Sequence, residues 1–227
     1  MNRESERELL AAGARDLRVT LTSSQSDALL KLVDELELGN AQFNLTAIRD
    51  RPDMLRKHVL DSLSLQPYLR GARMADVGTG AGFPGLPLAI VNPHRRFSLI
   101  EATGKKARFV AQTAERIGLS NVEIVHARAE THRPFDLFDI VMARALSSLA
   151  DFVAYAGHLC APEGRLLAMK GKRPEEEISA LPKSFRVLAI HRLKLPGLDD
   201  ERHLVELSPA RPRAALPTRS APNRESQ

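Results

Sequence analysis

The sequence has little of the material from which disulfide frameworks, metal centres and membrane spans are built. Only one of its 227 residues, Cys160, is cysteine, and its seven histidines show no metal-ligand spacing. The first residues are charged rather than apolar, and no apolar run approaches the ~18 residues of a membrane span. These absences predict a cytoplasmic protein that has no structural metal and no membrane segment.

Aromatic residues and strong positive charge are scarce as well. Aromatic residues make up 4% of the chain and none is tryptophan, so the stacking platforms of single-strand binders are missing. The net charge is +5, and residues 209–227 carry +3 of it through four arginines and one glutamate. Any RNA must therefore be bound by shape and phosphate contacts. The candidate RNA contacts are six basic residues, four in the N-terminal helical part and two after Gly171: Arg49, Arg51, Arg56, Lys57, Lys172 and Arg173.

The pattern divides the chain into three parts. Residues 1–70 show helical periodicity, with apolar residues spaced along 22–38, serine caps at its start, and a polar break at Gly39 and Asn40. Asp50, followed by Pro52, is typical of an N-cap and predicts a third helix through Leu63. Residues 209–227 are rich in Pro, Ala, Ser and Arg, and this composition predicts a disordered basic tail.

Residues 71–208 alternate short apolar runs with amphipathic stretches, which is typical of βαβ units in a mostly parallel sheet. The last two strand candidates, around 185–195 and 202–207, are joined by a connection too short for a helical crossover. They should therefore form an antiparallel pair at one edge. The predicted fold is a Rossmann-like α/β domain with a helical extension before it.

A glycine-rich turn, Asp76 to Gly85, follows the first strand of this domain. Glycines in that position let a ligand approach backbone N–H groups at the start of a helix. Gly80, Gly82 and Gly85 match the dinucleotide fingerprint, with Glu101 near the distance expected for a ribose contact. A turn that only packs a helix on a strand is a further alternative.

The position of Asp76 favours S-adenosyl-L-methionine over a dinucleotide. The fingerprint alignment would leave Asp76 and Gly78 inside the strand, whereas the pattern D-x-G-x-G-x-G puts Asp76 at its end. Asp76 and the loop can then face the amino-acid end of the cofactor, and Glu101 can accept hydrogen bonds from both ribose hydroxyls. The predicted cofactor contacts also include the loop neighbours Thr79 and Phe83, and Ala102 after Glu101.

Polar residues follow the other predicted strands at the same edge. Arg128 and Glu130 follow the third strand, Arg144 ends the fourth and Lys170 ends the fifth. Ligands of open α/β sheets bind beyond the carboxyl ends of the strands, so this edge is the predicted active site.

On these residues the chain resembles the GidB family, also called RsmG, the bacterial class I methyltransferases that modify guanine N7 in 16S ribosomal RNA. The resemblance extends over nearly everything before the tail. The segments that carry it are 44–48 (NLTAI), 58–63 (HVLDSL), 76–85 (DVGTGAGFPG), 99–110 (LIEATGKKARFV), 138–146 (FDIVMARAL), 169–171 (MKG) and 195–207 (LPGLDDERHLVEL). The continuation FPGLPLAIV and the upstream H-x-x-D-S-L are its most specific features.

The resemblance implies which residues meet the ligands. The glycines Gly78, Gly80 and Gly82 and the acidic Glu101 would surround the cofactor, with Ala129 and Glu130 beside its adenine. Arg144 would meet substrate or cofactor together with three further cations, Arg128, Lys170 and Arg202. The substrate implied is 16S rRNA within the small ribosomal subunit.

The chemistry agrees with this resemblance. Guanine N7 has an in-plane lone pair and no proton, so methyl transfer to it needs placement rather than a general base. The chain lacks the N-P-P-Y or D-P-P-Y segment of amino methyltransferases and has MARAL there. Cys160 is expected to be a packing residue rather than a nucleophile.

Arg144 is the predicted catalytic residue, forking to guanine O6 or clamping a neighbouring phosphate. An ion pair of Arg144 with Asp76 or Glu101 is the alternative. His58 and Asp61, one helical turn apart, either order the pocket or form a satisfied helix face. A methyltransferase acting on another RNA, a small molecule or a protein, and a cofactor-binding ribosome assembly factor, remain alternative functions.

Overall fold

The structure is a computed structural model that describes residues 2–145 and 147–210. Nearly all of the predicted tail lies outside these residues. Eight α-helical segments and seven strands follow one another along the chain. The helices are α1 (Arg3–Asp16), α2 (Ser23–Phe43), α3 (Arg51–Met54), α4 (Asp61–Leu63), α5 (Gly85–Val91), α6 (Gly104–Ile117), α7 (Leu149–Ala156) and α8 (Glu175–Ser179). The strands are β1 (Arg73–Val77), β2 (Arg96–Glu101), β3 (Val122–His126), β4 (Phe138–Arg144), β5 (Cys160–Lys170), β6 (Phe185–Arg192) and β7 (His203–Pro209).

Helix α2 differs from its prediction at both ends. Its N-cap is Thr22 rather than a serine, and Thr22 forms a reciprocal capping box with Gln25. The predicted break at Gly39 and Asn40 is wrong, because the helix continues to Phe43. A Cβ on Gly39 would lie 2.3 Å from the ring of Phe109, so this glycine lets α6 pack closely, and tertiary packing outweighs its low helix propensity.

The predicted third helix is present and includes a π-helical turn. Asp50 caps its start by accepting a hydrogen bond from the backbone N–H of Asp53, as expected. Segments α3 and α4 are joined by π-helical residues Leu55–Leu60, so the helix runs from residue 51 to residue 63. Single π-helical turns inside helices are frequent at functional sites.

The seven strands form one sheet in the order β3-β2-β1-β4-β5-β7-β6. The first five in this order are parallel, and β7 lies antiparallel between β5 and β6. The predicted mostly parallel sheet with an antiparallel edge pair is therefore confirmed. The chain leaves β1 toward β2 on one side and returns to β4 on the other, so the crevice between β1 and β4 is the expected ligand position.

Apolar side chains of the strands alternate between two cores. Met74, Ile140 and Met142 face a core shared with α5, α6 and the helices of residues 3–63. Ala75 and Val141, each next to one of these residues in its strand, belong to a second core that α7 covers. The N-terminal helices pack on α5 and α6: α2 contacts both of them and α4 contacts α5. Among the described residues, no helix is long and apolar enough to cross a membrane.

Candidate active site

Asp76, the penultimate residue of β1, holds the glycine-rich loop in place. Its side chain is fully buried, and Oδ2 accepts hydrogen bonds from Thr79 Oγ1 at 2.6 Å and Gly85 N at 2.8 Å. Oδ1 is buried without a hydrogen-bond partner in the protein. Burial raises the pKa of Asp76 to about 6, against the lowering effect of the two hydrogen bonds. The carboxyl group thus holds both ends of the loop with one oxygen, and its other oxygen has no partner among the described residues.

The loop is open to the crevice at Gly78 and Gly80. Both residues have left-handed backbone conformations, with φ of 67° and 63°, which favour glycine. A Cβ on Gly78 would meet nothing within 4 Å, and one on Gly80 only a backbone oxygen at 3.9 Å. These glycines leave free space above the loop, which a ligand can approach.

Glu101, at the end of β2, braces the same loop. Its Oε2 accepts a hydrogen bond from Gly80 N at 2.9 Å and its Oε1 accepts one from Thr103 N at 2.8 Å. Each carboxylate oxygen can accept a second hydrogen bond, so two ligand hydroxyls can still be held. The side chain is buried, which strengthens such contacts.

A first cleft of about 200 Å³ lies beside Glu101. It brings together six predicted site residues with four others: Gly78, Glu101, Ala102, Arg128, Ala129 and Glu130, with Val77, Ile100, Ala127 and Tyr155. Tyr155 of α7 was not predicted, because its place in the amphipathic pattern of a helix gives no functional signal. The apolar lining with Glu101 at one end suits an adenosine group.

A second cleft of about 470 Å³ lies at the ends of β4 and β5. It joins the predicted cations Arg144, Lys170 and Arg202 to residues of the N-terminal helices and nearby loops: Ile48, Lys57, His58, Asp61, Ala145, Met169, Gly171, Leu193 and His203. Arg128 was predicted to accompany these cations, but it lines the first cleft instead. The predicted residues that line a cleft thus divide between an adenosine-type cleft and a cationic cleft. The others belong to the glycine-rich turn and line neither of the two: Asp76, Thr79, Gly80, Gly82 and Phe83.

Arg144 pairs with a different carboxylate from those expected. Its Nη1 donates to Asp61 Oδ2 at 3.3 Å and to the carbonyl of Lys57 at 3.2 Å. The alternative ion pair with Asp76 or Glu101 is wrong, because the helix of residues 51–63 brings Asp61 to the end of β4. Burial raises the pKa of Asp61, while Arg144 and Arg202 act to lower it.

Phe83 connects the glycine loop to that helix. Its ring is buried, stacks on His58 at 5.0 Å between centroids, and lies 5.6 Å from the guanidinium carbon of Arg144. His58 Nε2 forms a hydrogen bond of 2.9 Å with Thr46 Oγ1. Burial, with Arg144 nearby, lowers the pKa of His58 to about 3, so the ring is neutral at physiological pH. His58 and Asp61 are therefore buried at the wall of the second cleft and do not form a solvent-facing side of the helix.

Several basic residues proposed for RNA contacts are engaged within the protein. Arg51 pairs with the carboxylates of Glu6, Asp34 and Glu37. Other pairs join Lys57 to Asp53, Lys170 to Glu177 and Arg173 to Glu175. Arg49, Arg56 and Lys172 have no ion pair within the described part of the chain. Arg51 is thus committed to the helical packing.

Two other features lie away from these clefts. Cys160 is buried at the start of β5, and burial raises the pKa of its thiol to about 12, which suits packing rather than nucleophilic attack. A third cleft, of about 480 Å³, lies around Arg73 and Arg96, the first residues of β1 and β2, and so at the amino ends of these strands. It contains none of the predicted site residues. Within the described ranges no group of His, Cys, Asp or Glu has the arrangement of a metal site.

Solved structures share this fold. A SAM-dependent methyltransferase from Aquifex aeolicus is 19% identical, with a TM-score of 0.55 over 77% of this chain and 96% of that one. TrmN from Thermus thermophilus is 22% identical, with a TM-score of 0.55 over 69% of this chain and 53% of that one. At these identities the likeness establishes the class I methyltransferase fold.

Sequence relatives establish the family. Ribosomal RNA small subunit methyltransferase G of Nitrosococcus oceani is 48% identical over 89% of this chain and 95% of the relative. The protein of that name from Escherichia fergusonii is 43% identical over 89% of this chain and 98% of the relative. The family model described as GidB, rRNA small subunit methyltransferase G, matches residues 25–205. This match includes both clefts and the whole helix of residues 51–63 that supplies Asp61, and the chain belongs to the GidB family.

Proposed function

We propose that this protein transfers the methyl group of S-adenosyl-L-methionine to N7 of a guanine in 16S ribosomal RNA. It is an S-adenosylmethionine-dependent rRNA methyltransferase, a transferase of rRNA processing that binds RNA in the cytoplasm and acts within the small ribosomal subunit. It needs no metal and no membrane. The observation that carries the proposal is the presence of two clefts at the carboxyl ends of the parallel strands, one lined by Gly78 and Glu101 and the other by Arg144, in a member of the GidB family.

The first cleft and the glycine loop form the proposed cofactor site. Asp76 Oδ1 accepts from the amino group of the cofactor, and Glu101 accepts from its ribose hydroxyls. Loop residues supply backbone contacts: Gly78, Thr79, Gly80, Gly82 and Phe83. Ala102, Ala129 and Glu130 surround the adenine. Because the ring of Phe83 is buried against His58, only its backbone is assigned to the cofactor.

The second cleft receives the target guanine. When bound, the cofactor supplies an electrophilic methyl group on sulfur. The protein places N7 in line with that group, and no side chain must remove a proton, since N7 carries none. Arg144 serves as the catalytic residue by contacting the guanine O6 or the adjacent phosphate, supported by Lys170 and Arg202. Arg128, in the first cleft, meets RNA at its rim.

RNA beyond the target nucleotide contacts the rim of the second cleft. Arg49, Arg56 and Lys172 are suited to this role because they form no ion pair within the described residues. Phosphate contacts of this kind orient the RNA without reading its sequence. Binding should therefore weaken steeply as salt is raised.

The test is methylation of small ribosomal subunits from cells that lack this protein. Incubation with enzyme and labelled cofactor should give N7-methylguanine in 16S rRNA, located by chemical cleavage at the modified base. Arg144→Lys should keep cofactor affinity within about twofold and lose most of the methylation, because a lysine cannot form the two-pronged contact. Arg108→Lys, an exposed change on α6, is the matched control.

Three results would contradict the proposal. No N7-methylguanine with the wild-type enzyme would refute the central reaction and favour an assembly factor that only binds the cofactor. Labelling of another RNA or of a small molecule alone would change the substrate. Loss of cofactor binding in Arg144→Lys would move Arg144 from the substrate to the cofactor.

A further inference from the structure

Asp61 joins three separate segments at the wall of the second cleft. It is the first residue of α4, and its side chain is 3% exposed. Its Oδ2 lies 3.3 Å from Arg144 Nη1, at the end of β4, and its Oδ1 lies 3.7 Å from Arg202 Nε, in the connection between β6 and β7. One buried carboxylate therefore contacts two guanidinium groups that belong to different segments of the chain.

This carboxylate has no role in capping its own helix. Among residues 2–145 and 147–210, no backbone N–H donates to the Asp61 side chain, and its Oδ1 has no hydrogen bond. A buried carboxylate without compensating partners is costly to desolvate, so the two arginines account for its presence. The interaction is between the helical segment and the sheet edge, not within the helix.

The charges around Asp61 leave the cleft wall positive. Arg144 and Arg202 oppose one buried carboxylate, whereas Lys57 and Lys170 are paired with Asp53 and Glu177. The second partner of Arg202, Asp200, is exposed, so solvent screens its charge. His58 beside them is neutral because its pKa is lowered to about 3. The remaining charge is suited to one anionic group bound between the two guanidiniums.

We propose that Asp61 is a positioning residue that holds Arg144 and Arg202 side by side as a clamp for the phosphate of the target nucleotide. Two guanidiniums fixed by a shared carboxylate match the geometry of phosphate oxygens, and fixing them in advance removes the entropy cost of ordering them during the reaction. A phosphate held this way sets the angle at which the attached guanine faces the methyl group. This inference rests on the proposed methylation of rRNA.

The test is Asp61→Asn, which keeps the size of the side chain and removes its charge. At saturating small subunits, kcat for methyl transfer should fall at least about tenfold, because misplacement of the reacting atoms acts on the chemical step. The Kd for S-adenosylmethionine should stay within about twofold. Asp200→Asn is the matched control: Asp200 is the exposed second partner of Arg202, and its loss should leave kcat unchanged.

A double-mutant cycle separates positioning from a general structural role. Arg202→Ala should reduce kcat strongly in the wild-type background and by at least about threefold less in the Asp61→Asn background, since both changes disable one clamp. If Asp61→Asn does not accumulate as folded protein, Arg202→Lys tests the same clamp, because one point charge cannot fork to a phosphate. It should lower kcat and leave cofactor affinity unchanged.

The outcomes separate this inference from the proposed function. Wild-type enzyme that makes no N7-methylguanine refutes the function itself. Active wild-type enzyme with full kcat in Asp61→Asn or Arg202→Lys refutes the clamp alone. Additive effects in the cycle, or a parallel fall of kcat and cofactor affinity, would also refute the clamp and make Asp61 a packing residue.

Discussion

Replacement of Asp76 by asparagine should make the folded protein less sensitive to pH. The pKa of Asp76 rises from 3.8 to about 6 in the folded protein, chiefly because the group is fully buried. Each pKa unit corresponds to about 1.4 kcal/mol, so ionised Asp76 opposes folding by about 3 kcal/mol. A carboxylate that destabilises the fold is expected to be retained where it has a function, and the free oxygen of Asp76 is suited to binding a ligand.

The sign of the pH dependence follows from proton binding. The folded protein holds the Asp76 proton more tightly than the unfolded chain, so the contribution of Asp76 to stability falls as pH rises from about 4 to about 6. Above that window the full cost of about 3 kcal/mol remains. Asparagine has no such dependence, and any cost of its unpaired amide is the same at every pH.

The assay is urea unfolding of wild type and Asp76→Asn between pH 4 and pH 7.5. The free energy of unfolding of the wild type, relative to the variant, should fall by about 2.5 kcal/mol across this range, because the group in the unfolded chain is already partly ionised at pH 4. The variant should also bind S-adenosylmethionine about 10- to 100-fold more weakly, because an amide N–H₂ would replace a charged acceptor. Asp139→Asn removes the charge of a carboxylate that accepts from two backbone N–H groups, those of Ala72 and Arg73, and it should leave cofactor binding intact.

A stability difference between wild type and Asp76→Asn that does not change with pH would refute this account of the buried carboxyl group. Unchanged cofactor affinity would refute the assignment of its free oxygen to the cofactor. The two measurements are independent, so one part of the reasoning can fail without the other.

Two other changes test the bracing of the loop and the packing of the helices. Glu101→Gln should weaken cofactor binding about 10- to 100-fold, because its amide cannot accept from both Gly80 N and Thr103 N. Isothermal titration would measure this, and wild-type affinity would show that Glu101 does not contact the ribose. Arg51→Met should lower the free energy of unfolding by about 2–4 kcal/mol, because the buried carboxylate of Glu6 then keeps only its longer ion pair with Arg3, at 3.5 Å. It should leave the KM for small subunits within about twofold at 25 °C, and a large rise in KM without loss of stability would make Arg51 an RNA contact.

Local patterns were sufficient for the strands and for much of the first cleft. Period-two apolar runs and glycine spacing depend on residues that are close together in the sequence, and the carboxyl ends of parallel strands must meet at one edge. Gly78, Glu101 and Glu130 could therefore be grouped from the sequence alone. The continuation of α2 through Gly39 could not be predicted from local sequence, because the ring of Phe109 that the glycine accommodates is far away in sequence.

The sequence by itself determined the order of strands and helices, the antiparallel pair at the edge, and the family, because each depends on short-range periodicity or on contiguous motifs. Only the tertiary structure decided which carboxylate pairs with Arg144. Asp61 reaches that arginine from a position 83 residues earlier in the chain. Such ion pairs depend on how helices pack across a sheet, and they are settled by long-range geometry and desolvation rather than by the residues on either side of each charge.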